Sequence, residues 1–243
     1  MVMNVDKYIQ IIERLEKIET WKDEESFLVD ALIMTNAKLF MKSYKDIEEY
    51  SIVTVAPLLR QVHENIIAIL GIGDGVITMK DFIDQSYKPK TVMNRIKDKN
   101  PQIDSEKFDF ANNYLFEVKE TLNVFTHTNF EGIMTLFTER FQVFESIEFN
   151  KIMMKFFVTF LEGPFIAIVN SIYKLDIELP PKYDLNKELK RINSLKYITR
   201  HFPEPIKEFI NNSEVLNGYY KNIIDSIKKA SNEVNRSSRS NSN

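Results

Sequence analysis

The chain contains no cysteine, so neither a disulfide framework nor a thiolate-bound metal is available to it. That composition fits a reducing compartment, and the expected setting is the cytoplasm. Its three histidines, His63, His127 and His201, are far apart and form no pair with the helical spacing of a metal site. The expectation is therefore no metal and no other cofactor. Glycine is scarce, with 6 in 243 residues. The one glycine-rich stretch, Gly71-Ile72-Gly73-Asp74-Gly75, follows a helical pattern rather than a strand and offers no lysine for a phosphate, which excludes a nucleotide-binding loop. No serine sits between flanking glycines in an elbow, so acyl transfer has no support. The formal net charge of −3 is too mild to announce a nucleic-acid partner for the chain as a whole.

A leader is not visible either: the first residues, Met1 to Lys7, carry no basic region followed by an apolar core. Ile152 to Leu175 is strongly apolar, but Lys155 and Glu162 lie within it and Gly163-Pro164 interrupts it. Charges at mid-bilayer depth are costly, so the segment reads as a kinked core helix and no membrane association is expected.

What is present is helical periodicity from end to end. Tyr8, Ile11, Ile12, Leu15 and Ile18 outline a first short helix. A second covers about 25–43, with Asp23 as its N-cap and Phe27, Leu28, Ala31, Met34, Leu39 and Phe40 inward. A third runs from about Asp46 to Leu70, includes Pro57, and stops at the glycine-rich turn. Residues 79–100 give one or two short polar helices. A long helix follows over 105–128, then the apolar helix from about Phe149. Pro180-Pro181 is the best boundary, with short helices beyond it near 185–195, 205–211 and 213–229. The last residues, Ser231 to Asn243, are Ser, Asn and Arg with almost nothing apolar, the composition of a disordered tail. The expected architecture is all-α: a helical bundle around three long core helices over 1–179, a small helical C-terminal appendage over 180–230, and the tail over 231–243.

Polar chemistry on apolar helices marks the candidate site. Between Val55 and Leu70 apolar residues cover most of the helix circumference, yet Arg60, His63 and Glu64 occur at i, i+3 and i+4. Buried groups of this kind need partners. Either Arg60 and Glu64 form an internal ion pair, with His63 bonded to a carbonyl freed by Pro57, or the strip lines a pocket in which Arg60 holds an anion and His63 or Glu64 acts as acid or base. A second polar cluster surrounds His127, between Thr126 and Thr128 and near Phe125 and Phe130. Two basic stretches add surface charge. Tyr87 to Lys99 holds Lys88, Lys90, Arg95, Lys97 and Lys99; Lys182 to Arg200 includes Lys190, Arg191, Lys196 and Arg200. Tyr197, His201 and Phe202 supply stacking surfaces suited to single-stranded RNA. A solvated helix face is the simpler account of either stretch. The first 50 residues are acidic, an asymmetry that also suits a protein partner or head-to-tail association of copies in a homo-oligomer.

At Arg60-Gln-Val-His-Glu64, Phe125-Thr-His127 and the apolar helix after Phe149, the chain resembles bacterial all-α proteins with an R-x-x-x-E motif on one core helix and a histidine on a later one. That group is similar in build to the HEPN superfamily, many of whose members are ribonuclease toxins of defence and toxin–antitoxin systems. The resemblance spans roughly the middle half of the chain. It implies a metal-independent ribonuclease in which Arg60 holds a phosphate, His127 is the acid or base, and Glu64 orients one of them. In HEPN nucleases Arg and His share one helix at a wider spacing than Arg60 and His63, and Arg200-His201 are adjacent. The residues thus leave two expectations open: a defence or toxin-type protein acting on RNA, or a non-enzymatic interaction module whose buried Arg60–Glu64 pair and His63 are structural.

Overall fold

A computed structural model of the chain describes residues 5–49, 52–126, 144–181, 183, 188, 204–218 and 221–222. Among the described residues there is no strand, and the fold is an all-α bundle built around long core helices. The helices are α1 (Asp6–Glu16), α2 (Glu24–Glu48), α3 (Ile52–Gly73), α4 (Met79–Ile83), α5 (Pro89–Lys99), α6 (Ser105–Thr126), α7 (Phe144–Tyr173) and α8 (Glu204–Asn212).

Helix α2 begins where its cap predicts: the Asp23 carboxylate accepts the backbone N–H of Ser26 at 2.8 Å, satisfying a first-turn donor. Its far end differs from expectation. Asp46, read as the start of the third helix, belongs to α2 and is buried, where it accepts the Thr54 hydroxyl and pairs with Lys42. That pairing ties the end of α2 to the start of α3 across the intervening turn, a contact that helical periodicity cannot reveal. Helix α3 then runs back along α2, with Asn65 donating to Asn36 at 2.8 Å, both buried. Phe27, expected inward, is 44% exposed and lies edge-on to Trp21 instead of in the core.

Pro57 sits inside α3 and is exposed. The helix continues through Gly71 to Gly73, beyond the expected stop at Leu70. Its carbonyl ends are closed by Val76 N–H and Ile77 N–H, which donate to the Gly71 oxygen at 2.7 and 3.0 Å, and Gly75 takes the left-handed conformation at φ +62°. Gly71 has a separate steric reason. A Cβ there would stand 2.6 Å from Ile77 and 2.7 Å from Val92, so only glycine lets the turn and α5 press onto α3.

Helix α7 packs on α2 and α3 through Met154, Phe157, Val158, Leu161, Phe165, Ile166 and Val169, all buried. The segment Lys151–Tyr173 is long and apolar enough to cross a membrane, and half of its most apolar window is covered by the bundle. Its C-terminus is closed by Asn170, whose side chain donates to the Ile177 carbonyl at 2.8 Å and accepts the Ile177 N–H at 3.1 Å. Residues 174–181 then run without helix, and α8 follows further on. The helix expected near 185–195 falls outside the described residues but for Glu188. The 231–243 tail lies wholly outside them.

Candidate functional site

The α3 strip divides across the helix edge. Arg60 Nε reaches Glu64 Oε1 at 3.3 Å, with side chains 35% and 34% exposed. The expectation that this pair is buried is therefore corrected: it is a half-exposed i,i+4 pair of the kind worth under about 1 kcal/mol. His63 lies about 100° around the helix from Glu64 and is fully buried, facing Leu115, Phe116 and Lys119 of α6. Its ring meets Phe116 edge-on, with centroids 6.3 Å apart. Neither ring nitrogen has a hydrogen-bond partner, and the Leu115 backbone only weakly favours the protonated ring. The expected bond to a carbonyl near Pro57 is absent, because six residues of helix carry His63 to another side. Burial, followed by the Lys119 charge, pushes its pKa down to about 4, so it is neutral at physiological pH and sealed from any substrate. His127 lies outside the described residues.

The first basic stretch folds into a more open arrangement. The turn after α3, the α4–α5 connection and α5 enclose a cleft of about 320 Å³ lined by Asp81, Ser86, Tyr87, Lys88, Thr91 and Arg95. Of the five cations read from sequence, two are committed elsewhere. Lys97 pairs with Asp109 of α6 at 2.7 Å, and Lys99 donates to the carbonyls of Asp74 and Gly75 at 2.8 and 3.1 Å. Lys88, Lys90 and Arg95 are exposed and form no ion pair among the described residues. The first turn of α5 has Pro89 at its start, no side-chain cap and no acidic residue. The helix N-terminus beside Lys88 is therefore left without a compensating carboxylate of its own first turn.

One carboxylate does enter the cleft, and it is held. Asp81 accepts the Thr78 N–H at 3.0 Å and the Thr78 hydroxyl at 2.8 Å, closing the cap of α4, and Ser86 donates to it at 3.2 Å. Those bonds, the backbone one first, lower its pKa, with the Arg95 charge adding to them. Tyr87 stacks on Phe82 with centroids 6.0 Å apart and ring planes 18° from parallel. Its hydroxyl pKa is raised by burial and then by Glu64. The Glu64 charge on α3 is thus felt at Tyr87, although neither Arg60 nor Glu64 lines the cleft. Lys190, Arg191, Lys196 and Arg200 of the second basic stretch lie outside the described residues.

A third polar cluster was not anticipated. Glu162, in the middle of α7, is buried, accepts the Tyr8 hydroxyl and, at 2.9 Å, the Tyr44 hydroxyl, and pairs with Lys7. The Tyr8 ring stacks on Phe40 at 5.4 Å, which in turn meets Phe165 at 5.3 Å. Burial raises the pKa of both tyrosines, so they stay protonated as donors. A carboxylate with its partners already in place and no opening to solvent clamps helices; it does not perform chemistry. The sequence signal for it was present, a glutamate in the most apolar helix, but its partners lie in α1 and α2. No group of His, Asp and Glu suited to a metal occurs among the described residues.

No protein-family model, curated protein or solved structure matches this chain.

Proposed function

We propose that the protein binds RNA through the α5 cleft. The observation that carries this reading is the presence of two cations, Lys88 and Arg95, lining a concave site without an ion-pair partner among the described residues. Other cations are spent on neighbours, Lys97 on Asp109, Lys7 on Glu162 and Lys151 on Glu48, while lysines unpaired among the described residues, such as Lys17, Lys22 and Lys38, do not line this cleft. Unspent guanidinium and ammonium groups beside hydroxyls and a tyrosine suit a phosphate with a nucleoside attached. The defence or toxin-type setting rests on the HEPN-like resemblance, and a cytoplasmic location goes with an RNA ligand. Cleavage, in this reading, falls to Arg60 as phosphate holder, Glu64 as orienting group and His127 as acid or base; His63 takes no part.

The test is binding of a fluorescent single-stranded RNA at two salt concentrations, with parallel inspection for cleaved product. The double variant Lys88→Glu/Arg95→Glu is expected to weaken binding at least tenfold with an unchanged helical spectrum, and the wild-type affinity to fall as salt rises. Arg60→Ala and His127→Ala are expected to bind but not cleave. Full binding by the double variant would refute the site. Binding without cleavage by the wild type would leave a non-enzymatic RNA-binding protein, and absence of binding would leave the second reading, a non-enzymatic protein-interaction module. The burial of His63 gives that residue a structural role in either reading.

A further inference from the structure

A second concavity of about 360 Å³ adjoins the first, lined by Gly75, Val76, Arg95, Asp98 and Lys99. Val76 and Arg95 belong to both. Arg95 therefore stands on the wall between two hollows, each near the lower end of the size range of small-molecule sites. Neither would admit a duplex, whose backbones are held apart by paired bases. From this juxtaposition we infer that the two hollows are successive nucleoside subsites for single-stranded RNA, with Arg95 clasping the phosphodiester that bridges them. The inference rests on the RNA-binding reading above and adds the ligand's form: an unpaired dinucleotide step.

The chemistry of the two hollows differs in a way that fits this assignment. The first has an aromatic ring, Tyr87, supported from behind by Phe82, together with the hydroxyls of Ser86 and Thr91 and the cation Lys88. It offers a stacking surface for a base and polar groups for its sugar. The second is built on the turn after α3, where Lys99 is fixed to the Asp74 and Gly75 carbonyls and serves as wall rather than as free cation. Its free polar group is the Asp98 carboxylate, an acceptor for ribose hydroxyls or an exocyclic amine and a poor neighbour for phosphate. The Asp98 carboxylate disfavours a phosphate placed against it, while Arg95 on the shared wall attracts one. Arg95 is the residue whose planar fork can hold both non-bridging oxygens at once.

Competition against bound fluorescent single-stranded RNA decides the matter, using adenosine monophosphate, the dinucleotide ApA and a short blunt RNA duplex as competitors. ApA is expected to compete at least tenfold better than the mononucleotide, as a second stacked or seated base implies, and the duplex to compete least. Arg95→Ala, at an exposed position, should abolish the ApA advantage. Thr91→Trp, which fills the first hollow and leaves Arg95 in place, should abolish it as well. Both variants are checked for unchanged helical content. If RNA binds but ApA competes no better than the mononucleotide, the two-subsite inference is overturned and the RNA reading stands. An ApA advantage that survives Arg95→Ala overturns the role of Arg95. If no single-stranded RNA binds, the RNA reading itself fails, and the inference falls with it.

Discussion

Glu162 and Arg95 are both charged residues on helices, and the bundle treats them in opposite ways. Glu162 is 1% exposed and surrounded by donors: two tyrosine hydroxyls and the Lys7 ammonium, drawn from α1 and α2. Arg95 is exposed, lines two hollows, and has no ion-pair partner among the described residues. The first arrangement is complete without a ligand; the second is not. A buried charge must be matched within the protein because water cannot reach it, so its partners report on how the helices are held. An exposed charge costs little to leave unmatched, so its lack of a partner is informative only where the surface is concave and neighbouring cations have been consumed, as Lys97 and Lys99 have.

The sharpest way to break this contrast is to remove the buried carboxylate. Glu162→Ala leaves Lys7, Tyr8 and Tyr44 without their acceptor and is predicted to cost about 3–5 kcal/mol in a urea melt. Glu162→Gln, which keeps one acceptor, should cost less. A loss below about 1 kcal/mol for the alanine variant would show that the cluster is not a clamp.

An intermediate effect is expected from pH, through the other sealed group. His63 has its pKa pushed from 6.5 down to about 4 by burial and the Lys119 charge, and Leu115 opposes weakly. Because the unfolded chain takes up this proton first, the folded state loses stability as pH falls from about 6.5 toward 4, and no loss arises from this group above that window. Between pH 7 and pH 5 the predicted loss is about 2 kcal/mol. His63→Leu should remove that share of the slope, and an identical slope in variant and wild type would contradict the burial argument. The smallest effect belongs to the half-exposed pair. Arg60→Ala is predicted to change stability by under about 1 kcal/mol. A several-kcal/mol loss would return Arg60 to the clamp role that its exposure argues against.

Where local chemistry decides, the sequence can be read directly. Asp23 followed by Ser26 starts α2, the polar run over 79–100 makes α4 and α5, and the spacing of Arg60 and Glu64 makes an i,i+4 pair. Each depends on residues within about one turn. The misplaced boundary at Asp46 and the outward Phe27 share a different cause. Asp46 is defined by Thr54 on the next helix, and Phe27 by Trp21 before α2 begins. Of the basic run, composition showed five cations but not that two of them are consumed by Asp109 and by the turn carbonyls.

What the sequence by itself determined, then, is the all-α class, most helix positions and the presence of a basic segment, because periodicity, caps and charge composition are properties of neighbouring residues. The tertiary structure alone decided which charges are sealed and which stay available. It set Glu162 against Tyr8, 154 residues away, turned His63 from Arg60 toward α6, and let the Glu64 charge act on Tyr87. Burial depends on what the rest of the chain packs over a side chain. A helix carries no record of that in its own period.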